Sequence, residues 1–289
     1  MRRPFGWSYP SGMTTAHTQP TPRTRPRLED IVDRVQNTHI EHLMFEPTAK
    51  RVRAMLAGAT IADSTNVMIM HEPGRLAAYY FPIADVRQDL LIPSSKRTSS
   101  PLKGEAHYWS VQVGDTIAAD AVWSYPSPPE GCPDISKHVA LYRNSMDRWL
   151  EEDEEVFVHP RDPYHRIDIL ESSRQIRVVL AGTTLAETTH ARFLFETTLP
   201  VRYYIPRSDV RLDLLEESDS VTACAYKGTT SKYWKMKTAT GSSRDVAWSY
   251  ESPTSEVAPI AGLISFFNER VDAIFVDGVE APRQQTQWS

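Results

Sequence analysis

The organisation of this chain is visible in the stretch Leu199-Pro-Val-Arg-Tyr-Tyr-Ile-Pro-Arg-Ser-Asp-Val-Arg-Leu-Asp-Leu-Leu215. A diverged copy, Leu76-Ala-Ala-Tyr-Tyr-Phe-Pro-Ile-Ala-Asp-Val-Arg-Gln-Asp-Leu-Leu91, occurs earlier. Both contain Tyr-Tyr-x-Pro-x-x-Asp-Val-Arg-x-Asp-Leu-Leu, in which two β-prone aromatic residues precede a proline turn, two carboxylates and an arginine. We infer that one structural unit is used twice.

The repeat extends beyond this motif. Residues that match at a separation of 124 positions include Gly58 and Gly182, Glu72 and Glu196, Pro82 and Pro206, and Lys103 and Lys227. A unit of this length is too long for a solenoid repeat and has the size of a small domain. We therefore predict a tandem duplication, with a tail at residues 1–28, a first β domain at 29–160 and a second at 161–289.

Local patterns in each copy are typical of antiparallel β-structure. The segments Arg51-Val-Arg-Ala-Met-Leu-Ala-Gly-Ala-Thr-Ile-Ala-Asp63 and Gln175-Ile-Arg-Val-Val-Leu-Ala-Gly-Thr-Thr-Leu-Ala-Glu187 place β-prone runs on both sides of a glycine, which predicts hairpins. Alternating aromatic and polar residues in Asp120-Ala-Val-Trp-Ser-Tyr125 and Asp245-Val-Ala-Trp-Ser-Tyr250 predict further strands. We expect a mainly β protein with two compact antiparallel β domains.

A short α-helix is predicted after each Trp-Ser-Tyr block. Asp134 is suited to cap the first of these helices, and Pro259 is suited to begin the second. The apolar positions of the two helices are Val139, Tyr142, Met146, Trp149 and Leu150 in the first, and Ile260, Leu263, Ile264 and Phe267 in the second.

The N-terminal region predicts a disordered tail followed by a short helix. Residues 1–28 are rich in Pro, Thr and Arg and contain no acidic residue, so they cannot bury enough apolar surface to order themselves. From Leu28 to about Phe45 the apolar spacing favours an amphipathic helix. A mitochondrial transit peptide is the alternative for the tail, although its five prolines oppose the amphipathic helix that such peptides need. We expect a cytoplasmic protein, with a mitochondrial location as the alternative.

Composition argues against several classes of partner. The formal net charge is −5, so no overall basic field attracts nucleic acid or an anionic membrane. No apolar run approaches the roughly 18 residues of a membrane helix. The two cysteines, Cys132 and Cys224, make no disulfide framework. His39 and His42 are spaced to share a metal ion, but zinc needs three or four ligands and the nearby spacing suggests no Cys or Glu partner, so neither a metal site nor a cofactor is predicted.

The second copy contains a set of spaced motifs, namely Pro163-Tyr-His-Arg-Ile-Asp-Ile-Leu-Glu-Ser-Ser-Arg174, the stretch from Glu196 to Leu215, Cys224-Ala-Tyr-Lys-Gly228, Tyr233-Trp234, Trp248-Ser-Tyr250, Val271-Asp272 and Val276-Asp-Gly278. Together these motifs resemble the domain of unknown function 427 family. The resemblance covers residues 48–282 and implies a compact, largely antiparallel β domain with a helix near its end.

The first copy departs from this pattern. Ala78, Ser100 and Leu102 stand where the second copy has Arg202, Cys224 and Tyr226. We therefore expect any functional site to lie in the second copy. The family sometimes carries a nucleotidyltransferase label, which implies a Gly-Ser turn that feeds a pair of magnesium-binding carboxylates. Here Gly241-Ser242 is followed by Asp245 alone, and no phosphate-binding loop precedes Asp209 and Asp213.

Polar and aromatic residues of the second copy predict a ligand site if they converge on one concave β surface. The candidates are Arg202, Tyr203, Tyr204, Arg211, Asp213, Tyr226, Tyr233, Trp234 and Trp248. Aromatic walls and cations are suited to a planar anionic or carbonyl-bearing ligand. In the alternative interpretation, Arg211 and Asp213 form a structural ion pair and the aromatic residues belong to the core.

Lys227 and Cys224 are the candidate catalytic residues. A desolvated Lys227 amine is suited to base or Schiff-base chemistry, and a Cys224 nucleophile would need His190 as its base. The leading hypothesis is therefore a small-molecule pocket in the second domain, enzymatic or merely binding, lined by Arg202 and Lys227. The alternative is a non-catalytic scaffold or interaction module with an exposed apolar patch, whose protein partner the sequence does not identify. Nucleotidyl transfer, as the family label suggests, is a third possibility.

Overall fold

The computed structural model describes residues 42–73, 75–156, 158–237, 244–283 and 286. The strands of the first half are β1 (Met44–Pro47), β2 (Val52–Leu56), β3 (Ala59–Ser64), β4 (Met68–His71), β5 (Ala78–Pro82), β6 (Leu91–Ser100), β7 (Gly104–Val113), β8 (Thr116–Ser124), β9 (His138–Leu141), β10 (Arg148–Glu151) and β11 (Glu154–Glu155). Its 3-10 turns are Ile83–Asp85, Gln88–Leu90 and Arg143–Ser145.

The second half repeats this series. Its strands are β12 (Ile167–Glu171), β13 (Ile176–Leu180), β14 (Thr183–Thr188), β15 (Arg192–Glu196), β16 (Arg202–Ile205), β17 (Leu215–Ser218), β18 (Ala223–Cys224), β19 (Gly228–Thr229), β20 (Lys232–Met236), β21 (Asp245–Ser249), β22 (Ile264–Phe266), β23 (Ala273–Val276) and β24 (Val279–Glu280). Its 3-10 turns are Arg207–Asp209, Leu212–Leu214 and Ser255–Ile260.

The two halves have the same sheet topology. Each contains a seven-stranded antiparallel sheet, in the order β1-β4-β5-β9-β8-β7-β6 in the first half and β12-β15-β16-β22-β21-β20-β17 in the second. Each also contains a four-stranded sheet, β11-β10-β2-β3 or β24-β23-β13-β14. Strands that occupy the same place in the two halves come from matching parts of the sequence repeat. The prediction of two antiparallel β units is confirmed.

The predicted glycine hairpins are β2–β3 and β13–β14. Both central turn residues have positive φ angles, 47° and 78° at Ala57 and Gly58, and 50° and 70° at Ala181 and Gly182. This is the combination that the tight turns of twisted two-stranded hairpins require, and glycine adopts it without steric cost.

Each large sheet is covered on both faces. In the second half, Ile176, Leu185, Ile205 and Ile274 belong to a core between the large and the small sheet. On the other face of the large sheet, Leu194, Tyr204, Trp248 and Ile260 form a second apolar cluster with the 3-10 turn Ser255–Ile260. The first half has the same two layers. Because both faces are buried, side chains of either orientation along these strands enter a core.

The prediction of an α-helix near the end of each domain is wrong. The first predicted segment forms β9, a 3-10 turn and β10, because Val139 and Trp149 are buried in strands that pair with β5 and β2. In the second, Pro259 lies inside the 3-10 turn Ser255–Ile260, and β22 follows directly. Strand pairing in the sheet interior thus overrides the local helical spacing. The predicted tail and most of the predicted N-terminal helix lie outside the described residues, although residues 44–45, at its predicted end, belong to β1.

No helix in the described ranges has the length and apolar character that membrane crossing requires.

Candidate ligand site at the junction of the two halves

A cavity of about 370 Å³ lies where the first half meets the segment that connects it to the second. Residues 158–166 are called the connecting segment below. The cavity wall includes Lys50 and Tyr79 of the first half, Arg161 and His165 of the connecting segment, and Tyr226 of the second half. Acidic side chains also border it, namely Glu46, Asp162 and Glu256. Of the residues predicted from sequence to bind a ligand, Tyr226 lies at this wall.

The other predicted aromatic residues are divided between two cores. Tyr203 and Trp234 pack between the sheets of the second half, whereas Tyr204, Tyr233 and Trp248 pack on the opposite face of the large sheet. Consecutive side chains of a strand point to opposite faces, so neighbours such as Tyr203 and Tyr204 cannot line one surface. All five are buried, as the alternative interpretation of core residues expects. The structure does not bring them together on one concave surface.

Arg202 forms a buried, bidentate ion pair with Glu269. Its two terminal nitrogens donate to Glu269 Oε2 at 2.8 Å and to Oε1 at 2.7 Å. The guanidinium also lies 5.5 Å from the ring centre of Trp248. Burial raises the pKa of Glu269, but the hydrogen bonds and charge of Arg202 lower it by more, so the net pKa lies below its ordinary value. Arg202 is therefore engaged inside the second half and does not border the cavity.

Arg211 and Asp213 form a two-pronged ion pair on the surface, with distances of 2.8 and 2.7 Å. Both side chains are more than half exposed. Arg87 and Asp89 make the same contact at the matching place in the first half. The pair follows a 3-10 turn in both copies, which supports the interpretation of Arg211 and Asp213 as a structural ion pair.

Cys224 is a partly exposed free thiol in the small hairpin β18–β19, opposite Gly228. His190, its proposed base, lies in the turn after β14, where the backbone N–H of His190 donates to Thr188 Oγ1 at 3.0 Å. Within the described part of the chain, no hydrogen bond connects Cys224 with His190.

Lys227 is buried in a charge cluster that the sequence did not predict in full. Its Nζ donates to Glu196 Oε2, and His165 Nε2 contacts the other oxygen of the same carboxylate at 3.0 Å. Burial raises the pKa of Glu196, but the hydrogen bond from His165 and the charge of Lys227 lower it by more, so its net pKa is below the ordinary value. The Lys227 amine is thus paired with a carboxylate.

His165 is held in place by its surroundings. Its ring stacks on Tyr226, with ring centres 4.0 Å apart and planes inclined by 18°. The Tyr226 hydroxyl accepts a hydrogen bond from the backbone N–H of Asp162 at 2.9 Å. The backbone carbonyl of Asp162 in turn accepts one from the backbone N–H of His165 at 3.1 Å. Burial raises the pKa of Tyr226 to about 12, so the phenol stays protonated near neutral pH. These contacts join the connecting segment to the second half and fix the imidazole at the cavity wall.

Arg161 supplies a cation to the same cavity. Its Nε donates to the Ala225 carbonyl at 3.0 Å, which orients the side chain. Across the cavity, the Tyr79 hydroxyl donates to Glu151 Oε1 at 2.5 Å, and Lys50 pairs with the other oxygen of that carboxylate. The site therefore combines a fixed guanidinium, two aromatic rings and an imidazole with an accessible edge.

Sequence reasoning missed Arg161, His165 and Glu196 as site residues. Glu196 and Lys227 each recur 124 positions away, at Glu72 and Lys103, within largely apolar surroundings. Opposite charges that recur together among apolar residues could have indicated a buried pair. No comparable signal marks Arg161, because its role depends on where the connecting segment meets the first half.

A comparison with models of protein families matches both halves of the chain. A model described as Domain of unknown function (DUF427), with the short name NTP_transf_9, matches residues 44–152 and again residues 168–277. The chain belongs to the DUF427 family. Its two DUF427 domains are arranged in tandem and coincide with the two halves of the structure, so the junction cavity lies between one domain and the segment leading into the other. A comparison with curated proteins returned no match. Among the described residues of these domains, no group of three or more His, Cys, Asp or Glu side chains is arranged to hold a metal ion.

Proposed function

We propose that this tandem DUF427 protein binds a small organic anion with a planar, carbonyl-bearing part in the junction cavity. The observation that carries the proposal is the position of Arg161. Its Nε is engaged by the Ala225 carbonyl, and no other hydrogen bond or ion pair of its guanidinium is found among the described residues. A guanidinium held in this way presents its two terminal nitrogens to a carboxylate or phosphate with two-pronged geometry.

The remaining cavity wall supports the planar character of the ligand. Tyr226 and Tyr79 are mostly buried but border the cavity, and its 370 Å³ volume is in the range of small-molecule sites. Two of the three acidic residues at the wall have a hydrogen-bond donor on one carboxylate oxygen. Glu46 accepts the Tyr164 hydroxyl at 2.5 Å, and Asp162 Oδ1 accepts the Tyr164 N–H at 2.8 Å. Their charge therefore competes with a bound anion less than unpaired carboxylates would.

This proposal moves the site from where the sequence predicts it. The sequence hypothesis places the pocket inside the second domain, around Arg202 and Lys227, and both of those cations are paired with buried carboxylates. The proposed class of ligand is unchanged. Arg161, in place of Arg202 and Lys227, is the residue that would bind the anionic group of the ligand.

A thermal-shift screen of nucleotides, organic acids and aldehydes tests the proposal. A molecule that binds the native state raises the melting temperature, and one present at 100 times its Kd adds about 2.7 kcal/mol of stability. We expect at least one organic anion to stabilise the wild type and to lose this effect in Arg161→Gln. The matched control is Arg166→Gln, which changes an exposed arginine of the same segment outside the cavity.

An equal ligand-induced shift in Arg161→Gln and the wild type would overturn the proposed anchor. If no compound in the panel stabilised the wild type, the non-catalytic interaction module would become the better hypothesis. Exposed apolar side chains such as Leu170, Val221 and Val279 would then be its first candidate contacts. Nucleotidyl transfer is a further possibility that rests on the family label, and the nucleotides in the panel test it.

A further inference from the structure

We propose that His165 is the proton-transfer group of the junction cavity, that Nδ1 is its working nitrogen, and that Glu196 and Lys227 are its positioning residues. The inference rests on the proposed function in that the anion held by Arg161 is the molecule beside which His165 would act. It adds a chemical role that anion binding alone does not require.

The contact of His165 with Glu196 determines its tautomer. Nε2 lies 3.0 Å from Glu196 Oε1, and the other oxygen of that carboxylate pairs with Lys227. An ionised carboxylate only accepts hydrogen bonds, so Nε2 must carry the hydrogen. The lone pair of the neutral imidazole is then on Nδ1. A carboxylate that fixes one imidazole nitrogen while the other is left available is a recurring arrangement of acid–base histidines.

Nδ1 of His165 is accessible from the cavity. The His165 side chain is 16% exposed and borders the cavity. Nδ1 makes no hydrogen bond to a described residue, and it is not among the fully buried polar atoms that lack a partner. It is therefore open to a molecule in the cavity. His71, also near the junction, contrasts with it because its side chain is 1% exposed.

The two domains differ in the residues around the buried ion pair. The first domain keeps the buried ion pair, as Lys103 and Glu72. It has Leu102 at the place of Tyr226, and the residue 124 positions before His165 is Glu41. The ion pair is thus common to both domains, whereas the imidazole and the ring that stacks on it belong to the domain whose connecting segment forms the cavity wall. The first domain has the same ion pair but has Glu41 at the sequence position of His165. The ion pair alone therefore does not explain why a histidine occupies position 165.

The chemistry that follows is a proton transfer. The Nδ1 lone pair takes the proton of a ligand hydroxyl or of a water molecule beside the ligand, and the electron pair of the broken O–H bond stays on oxygen. The imidazolium that forms is stabilised on its far side by Glu196, and it returns the proton from Nδ1 to a basic atom of the product. The suitable substrate class is an organic anion that bears a hydroxyl or carbonyl group.

Nitrogen-15 NMR of the full chain with labelled histidine tests the tautomer directly. For the neutral imidazole we expect the Nε2–H form of His165. Lys227→Arg should keep this form because it keeps the charge pair, whereas the double variant Glu196→Gln, Lys227→Met should lose the preference. An Nδ1–H form in the wild type, or an unchanged Nε2–H form in the double variant, would overturn the assignment of Glu196 as the positioning residue.

Acylation by diethyl pyrocarbonate, mapped by mass spectrometry, tests access and separates this inference from the proposed function. We expect His165 to react at least tenfold faster than buried His71, with partly exposed His107 as the reference. Pyruvate and inorganic phosphate are the probes for protection. A His165 rate equal to that of His71 would overturn the inference. Fast labelling that neither probe slows would overturn binding of these two anions at the site and would still support an accessible His165 ring.

Discussion

Arg202 and Glu269 form a buried two-pronged ion pair, and the first domain has other residue types at both positions. Ser265 pairs with Tyr204 and Trp248 just as Ala140 pairs with Tyr80 and Trp123, which makes Ala140 and Ser265 equivalent. By the same alignment, the first domain has Ala78 and Asn144 at the places of Arg202 and Glu269. Both partners of the pair are therefore replaced together.

This replacement predicts a non-additive stability effect. Arg202→Ala leaves the Glu269 carboxylate buried without its main partner, and breaking a buried pair in this way costs about 3–5 kcal/mol. The double variant Arg202→Ala, Glu269→Asn installs the residues of the first domain and should recover a substantial part of that loss. Urea unfolding of the three proteins measures the coupling. A double variant no more stable than Arg202→Ala would show that the carboxylate is not the source of the cost.

Acid should destabilise the second domain through Glu196 and Glu269. Their pKa values in the folded protein lie below 4.5, the ordinary value, so the unfolded chain binds more protons than the folded one as the pH falls through this range. Their stabilisation is fully present above about pH 5 and is lost as the pH falls through the folded pKa values. Melting temperatures between pH 7 and pH 3 should show this decline, and Arg202→Ala, Glu269→Asn should show a shallower one. If the melting temperatures of the wild type and the double variant declined in parallel with pH, Glu269 would not be a source of the acid destabilisation.

The exposed pair of Arg211 and Asp213 should contribute little. Solvent screens such surface pairs, and side-chain ordering offsets most of their attraction. We expect Arg211→Ala to leave the urea midpoint and the ligand-induced thermal shift of the wild type unchanged, as should the matched variant Arg87→Ala in the first domain. Loss of ligand stabilisation in Arg211→Ala alone would place a binding site at that surface instead.

The sequence predicts the architecture better than the site. The 124-residue period and the glycine hairpins follow from local residue patterns, so the duplication and the β class could be predicted. The helices predicted around Val139 and Ile264 were wrong because those residues pair in the interior of the large sheets, and periodicity cannot distinguish short buried strands from helices.

The site depends on contacts that the sequence does not encode locally. The motif containing Tyr203 and Tyr204 looks like a binding surface as a linear string, but strand alternation sends the two rings into different cores. Tyr226 was predicted from its motif and lies at the cavity. Its neighbours there, Arg161 and His165, come from the connecting segment, which contacts the first domain through pairs distant in sequence, such as Tyr164 with Glu46.

The most direct test of the junction site is calorimetric titration of Tyr226→Leu with the organic anion that most stabilises the wild type. Leucine is the residue of the first domain at this position, so the substitution removes the stacking ring and the hydroxyl that holds Asp162 but keeps an apolar side chain. The account predicts at least tenfold weaker binding than in the wild type, with Tyr233→Phe, in the second-domain core, as an unaffected control. Wild-type affinity in Tyr226→Leu would contradict a ligand site at the junction.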